Sequence, residues 1–151
     1  MKTPSAAFQS VVQGSFNIAH ELHSGIITSV HILGAILQQK EDKTAQAILR
    51  LTADSEILEQ SIRSEALTHG KSVPDKYKKS PRKVPSGSLP MSDEAEAIIA
   101  GAMKVSARAN ETANTRHIVA CILDNQESFA HVVLKGQLDV QRLRLELSNT
   151  V

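Results

Sequence analysis

Two stretches of the chain say nearly the same thing: Ser29-Val-His-Ile-Leu-Gly-Ala-Ile-Leu-Gln38 and Thr115-Arg-His-Ile-Val-Ala-Cys-Ile-Leu-Asp124. His31 and His117 lie 86 positions apart, and the apolar positions that follow match one for one. Further on, Ala45, Ile48, Leu49, Asp54, Leu58 and Ile62 fall on Ala130, Val133, Leu134, Asp139, Leu143 and Leu147 at an offset of 85, so one residue is lost between the copies. Such a duplication makes the chain two copies of one small helical unit, and its function must come from what a paired unit can do.

Spacing and caps outline each copy. Ser5 is placed to cap a first helix whose Phe8, Val11, Val12, Phe16, Ala19 and Leu22 recur at intervals of three and four. Gly25 is expected to end it. A second helix starts at Thr28 or Ser29 and runs to about Gln39, a short third spans Thr44 to Leu51, and Asp54 caps a fourth that frays near His69-Gly70. Ser92, followed by Asp93 and Glu94, starts the same plan again, because acids favour the positive end of a helix. Ala95 to about Asn110, Thr115 to Asp124, Ser128 to Lys135 with Gly136 as a left-handed stop, and a helix capped by Asp139 complete it. The expected fold is all-α: two tandem four-helix repeats, eight helices in all, with pseudo-twofold symmetry and no strand. The chain then divides into repeat one at 5–69, a linker at 70–91 and repeat two at 92–148. Gly70, Pro74, Pro81, Pro85, Gly87 and Pro90 exclude regular structure from the linker, whose six Lys and Arg residues face one Asp.

The totals narrow the function class. A chain of 151 residues with 41% apolar and 22% charged residues can build a core, and 3% aromatics leaves that core to Ala, Ile, Leu and Val. A net charge of +1 predicts no field strong enough to capture nucleic acid or an anionic membrane. The single Cys121 excludes an intrachain disulfide and a multi-cysteine metal site. No apolar run approaches the roughly 20 residues that span a bilayer, and the N-terminus lacks the apolar stretch of a secretory signal. A cytoplasmic setting is expected.

The doubled pattern, Ser/Thr-x-His-Ile followed by apolar positions and Ile-Leu, then an alanine-rich helix and Asp-x-x-x-Leu, resembles the Clp N-terminal repeat domain over about Ser5 to Leu147. That domain heads the ClpA, ClpB and ClpC types of AAA+ unfoldase. The resemblance implies a docking module without catalysis or cofactor, whose partners are Clp adaptor proteins, unfolded or tagged substrates, or Clp ATPase and protease subunits. No G-x-x-x-x-G-K-[ST] phosphate loop is present, which fits either a piece of an unfoldase or a free-standing relative. Family members commonly carry Glu immediately before the repeated His, where the ClpC type reads phosphorylated arginine. Here those positions hold Val30 and Arg116, so an apolar contact is expected at the first and an acidic contact at the second.

The protein-binding candidates are therefore Ser5 with Val30 at one site and Ser92 with Arg116 at its pseudo-equivalent, each at exposed helix starts where free N–H groups favour polar or anionic groups. His31 and His117 are read as structural, each hydrogen-bonding within its own repeat. His20 and His23 sit one turn apart but lack a third ligand, which favours a solvated face over a metal site. Cys121 replaces Ala35 of the first copy and is read as a small core residue, not a nucleophile. A basic-linker nucleic-acid binder on a helical scaffold is the alternative, set against it being that the cations collect in the linker and only Tyr77 could stack on a base.

Overall fold

The computed structural model describes residues 3–71 and 89–149. Among them are eight helices: α1 (Ala6–Glu21), α2 (Ser29–Leu37), α3 (Lys43–Leu51), α4 (Ser55–His69), α5 (Asp93–Arg108), α6 (Thr115–Asp124), α7 (Phe129–Gln137) and α8 (Val140–Asn149). The fold is all-α, with one isolated parallel bridge between Ile27 and Met91. The basic stretch at 72–88 lies outside the described residues. Met91, assigned to an irregular linker, instead pairs with the chain ahead of α2.

Local chemistry starts most of these helices. Ser5 and Ser92 accept the N–H groups of Phe8 and Ala95, Asp54 accepts from Glu56 and Ile57, and Asp139 accepts from Gln141 and Arg142. Each bond satisfies a donor that the helix itself cannot. The two repeated histidines complete a reciprocal cap. His31 Nδ1 accepts the Thr28 N–H at 2.9 Å while Thr28 Oγ1 accepts the Val30 N–H at 3.2 Å. His117 Nδ1 accepts the Asn114 N–H at 3.0 Å while Asn114 Oδ1 accepts the Arg116 N–H at 3.0 Å. An imidazole thus does what Glu or Gln does in the usual capping box. A backbone N–H can only donate, so Nδ1 must be bare and the proton sits on Nε2.

Three local expectations change. α1 ends at Glu21, with His23 rather than Gly25 turning the chain at φ 56°; the Ser24 N–H closes on Ala19 C=O at 2.8 Å. Asn110 (φ 56°) with Glu111 N–H on Ser106 C=O repeats this after α5. Gly136 lies inside α7 with open space around it and needs no left-handed backbone. The caps also fix the register. Asp42 and Ser128 cap α3 and α7 at an offset of 86, and buried Thr44, Ala45, Ala47 and Ile48 superpose on buried Ala130, His131, Val133 and Leu134. The offset of 85 begins only at Asp54 and Asp139, so one residue is lost in the turn between the third and fourth helices, and another earlier, between Ser24/Glu111 at an offset of 87 and Thr28/Asn114 at 86.

The two repeats interlock. α4 packs on α2 and on α7, and α3 packs on α8, so the fourth helix of each repeat rests on the third of the other. His69, instead of fraying, stacks its ring on Phe129 with centroids 3.7 Å apart. α2 is buried almost all round, with Gly34 alone only partly so. The first two helices of each repeat meet at a small-residue contact: a Cβ on Gly14 would come 3.1 Å from Ala35 Cβ, and one on Gly101 3.1 Å from Cys121 Sγ. Backbone pairing is reciprocal. The Ser92 N–H donates to Ile27 C=O at 2.8 Å, and the Ser5 N–H donates to Ala113 C=O at 2.8 Å.

Glu94 draws three helix starts together. Its Oε2 accepts the Ser29 N–H of α2 at 2.7 Å and the Ser92 hydroxyl at 2.8 Å. Its Oε1 accepts the Ser29 hydroxyl and, at 2.9 Å, the Phe129 N–H of α7. Ser29 Oγ in turn accepts the Ala130 N–H at 2.9 Å. One carboxylate thus faces the positive ends of α2, α5 and α7.

Three measurements follow from this packing. Glu94→Ala, read by urea unfolding, lowers stability by about 1–3 kcal/mol, because partly buried N–H groups of two helices lose a charged acceptor. Gly136→Ala raises it by about 0.5–1 kcal/mol, since the position is helical and open. His31 is held by burial at a pKa of about 4, against 6.5 for an ordinary imidazole. Between those values the unfolded chain binds the extra proton, so stability falls as pH falls. From pH 7 to 4.5 the wild type should lose about 2–3 kcal/mol more than His31→Gln, which keeps a capping acceptor without titrating.

Candidate functional site

The reciprocal pairing redistributes the four sequence candidates. Ser92 lies against Ile27, beside the α2 start that carries Val30, and Ser5 lies against Ala113, beside the α6 start that carries Arg116. The pairs are therefore Ser92 with the Val30 corner and Ser5 with the Arg116 corner, crosswise to the expected pairing. The reason is the interlock: each repeat begins by running along the connector of the other.

The first corner is closed. Val30 is 0% exposed, so it cannot offer the expected apolar contact, and its helix start is not an exposed one. The Ser29 N–H is taken by Glu94 and the Val30 N–H by Thr28, which leaves an anionic ligand little to bind there. His31 Nε2 meets Ser24 Oγ at 3.0 Å, tying the α1–α2 connector to the cap.

The second corner is built differently on the same plan. Thr115, the counterpart of Ser29, donates its hydroxyl to the Asp42 carboxylate, 2.9 Å from the nearer oxygen, and Asp42 Oδ2 also accepts the Ala45 N–H of α3 at 3.1 Å. The carboxylate that joins the repeats here comes from a helix cap, whereas at the first corner it comes from the first turn of α5. Arg116 is half-buried, its side chain 27% exposed, and its guanidinium is paired with Glu111, 40% exposed. The acid at Arg116, expected from a binding partner, is here one of the chain's own residues. His117 is only 3% exposed, and its Nε2 makes no hydrogen bond; Glu111 Oε1 stands 3.8 Å away. Burial, and then the Arg116 guanidinium, hold this imidazole below its ordinary pKa, with Glu111 opposing.

Glu94, Asp42 and Glu111 carry these corners, and sequence reasoning gave none of them that role. Glu94 was visible only as an acid at its own helix start. The signal was in the alignment of the copies: Glu94 stands where the first repeat has Ala7, and Glu111 where it has Ser24, each at the offset of 87 that relates Ser5 to Ser92. Position 23–24 and position 110–111 share the same helix-ending hydrogen bond, which makes the second equivalence geometric as well.

The remaining chemistry-bearing residues are structural or solvated. Cys121 is half-buried against Gly101, and burial, then Asp124, push its thiol up, the opposite of activation. His20 and His23 are exposed, His20 stacking on Phe16, and among the described residues no cluster of three His, Cys, Asp or Glu could hold a metal. No helix among them is long and apolar enough to cross a membrane. Surface clefts lie among the described residues. One, about 340 Å³, lies between α1, α2 and α4 with Ile18, Leu22, Leu37 and Ile62 in its walls. Another, about 430 Å³, lies among α6, α7 and α8 and includes Val132, Lys135 and Arg144.

Known proteins fit this architecture. The N-terminal domain of Hsp104 from Candida albicans superposes with a TM-score of 0.73 at 11% identity, covering 97% of this chain and 89% of that one. A chain from preliminary structural investigations of a malarial protein secretion system gives 0.72 at 13% identity, with 98% and 94% covered. No curated protein sequence matches. The family described as the Clp repeat (R) N-terminal domain matches residues 3–137. With its duplicated helical unit, its repeated histidine caps and that match, the chain belongs to the Clp N-terminal repeat domain family.

Proposed function

We propose that this chain is a protein-docking module of a Clp system, receiving adaptor proteins or unfolded and tagged substrates, and working by binding rather than by catalysis. Membership of the Clp N-terminal family supports the general reading. The observation that carries the specific one is the asymmetry of the two corners. The scaffold is doubled, yet the first corner is sealed by Glu94 and buried Val30, while the second keeps a half-exposed Arg116–Glu111 pair at its surface. Docking is then centred on the second corner, at Arg116 with Ser5 beside it. The cleft between α1, α2 and α4, where Ile18, Leu22, Leu37 and Ile62 are flanked by Glu21, Lys40, Glu59 and Arg63, is the surface suited to a client segment that carries both apolar and charged side chains. Recognition of phosphorylated arginine through an acid before the histidine does not carry over, because neither Val30 nor Arg116 can pair with a guanidinium.

The test is retention of purified Clp ATPase, Clp adaptor and an unfolded client on the immobilised chain, with Arg116→Glu as the variant. Arg116→Glu should weaken retention by at least about tenfold while changing stability by no more than about 1 kcal/mol, as expected for a partly exposed pair at the surface. Retention of none of the three classes, or equal retention by the variant, would sink the reading.

A further inference from the structure

We infer that the second corner is a carboxylate-binding site whose resting occupant is the chain's own Glu111, so that an acidic side chain of a docking partner binds by displacing it. The inference rests on the docking reading above and names the ligand chemistry and the regulation of that site.

The argument is a comparison of one nitrogen with its own copy. In the first repeat, His31 Nε2 carries the proton, because Nδ1 is the capping acceptor, and Ser24 Oγ receives it at 3.0 Å. In the second repeat, His117 Nδ1 is likewise the capping acceptor at 3.0 Å, so its Nε2 is also a donor. The residue in Ser24's place is Glu111, a far stronger acceptor, yet it makes no hydrogen bond to that nitrogen. Its carboxylate is engaged by the Arg116 guanidinium, leaving Oε1 at 3.8 Å from His117 Nε2. A buried donor without an acceptor loses its hydration with nothing in return. Arg116 and His117 therefore present two donors to one place, and the tethered Glu111 serves only one of them.

A carboxylate free of the connector can take both. One oxygen would accept from the guanidinium and the other from the imidazole N–H, which gives charge-assisted bonds to a partly shielded cation. Glu111 is the more exposed of the pair and sits in the α5–α6 connector, so it can turn to solvent without disturbing α6. Its N–H remains bonded to Ser106 C=O. The first corner cannot do the same, since Val30 supplies no cation and Ser24 already satisfies the ring. The site takes an Asp or Glu side chain of a partner, and Glu111 lowers its affinity by competing for it.

The probe is a terminally blocked peptide with adjacent Asp and Glu residues, and its Asn-Gln counterpart is the control. Nitrogen-15 spectra of the whole chain would follow the His117 imidazole and the Arg116 guanidinium during titration. The acidic peptide should shift both signals saturably, the amide peptide neither, and Arg116→Gln should remove the response. Glu111→Gln should tighten the acidic peptide by about three- to fivefold, the value of one relieved surface pair. Glu111→Ser, which copies the first repeat, should tighten it through Arg116 alone. Equal response to both peptides, or affinity unchanged in both Glu111 variants, overturns the inference. If the immobilised chain still retains a Clp partner in that case, docking stands and the internal competitor falls. If the peptide behaves as expected but no Clp partner is retained, the reverse holds.

Discussion

The carboxylate of Glu94 is the point through which the two repeats share their helix starts. A helix N-terminus carries unsatisfied donors and about half a positive charge, and burying one without an acceptor is costly. Here the starts of α2, α5 and α7 converge, and one negative group answers all of them through the backbone of Ser29 and Phe129 and the hydroxyls of Ser29 and Ser92. α2 can then be buried on nearly every side, because its most polar end no longer needs water. Much of the core, from Ile32 to Leu37, depends on that end being quiet.

The same problem is solved at the other corner by different residues. Thr115 reaches Asp42, which is already capping α3, so a cap does double duty as the cross-repeat acceptor. Duplication supplied two equal sets of helix starts and left each free to find its own anion. At the first corner Glu94 takes the Ser29 N–H and the apolar Val30 is buried beside it. At the second, where the anion is the cap of α3, position 116 lies nearer the surface and holds a charge. The structural asymmetry of the two corners thus follows from how each satisfies its helix starts.

What the chain reveals before folding divides along sequence distance. The caps Ser5, Ser92, Asp54 and Asp139 were legible because each acts on N–H groups two or three residues away. The family pattern was legible because burial preserves apolar spacing in both copies. Val30 was misjudged because its burial comes from packing that no local pattern encodes. Gly136 was misread since a glycine near a helix end satisfies the rule for a stop equally well inside one. Ser5 and Ser92 were placed at the wrong corners because reading each repeat as self-contained hides the exchange between them.

That exchange has a further meaning. Ser92 binds the connector ahead of α2, and Ser5 binds the connector ahead of α6, so residue i meets j and the copy of j meets the copy of i. This is the bookkeeping of an isologous dimer, in which the same patch serves both subunits. A lone repeat of this design would leave its first strand-like residues and its connector unpaired, and would find the missing groups only on a second molecule. Fusion of two such molecules turns a concentration-dependent association into an intramolecular one. It also ends the obligation of the two halves to be identical: a true twofold axis forces every substitution to appear twice, and a covalent one does not.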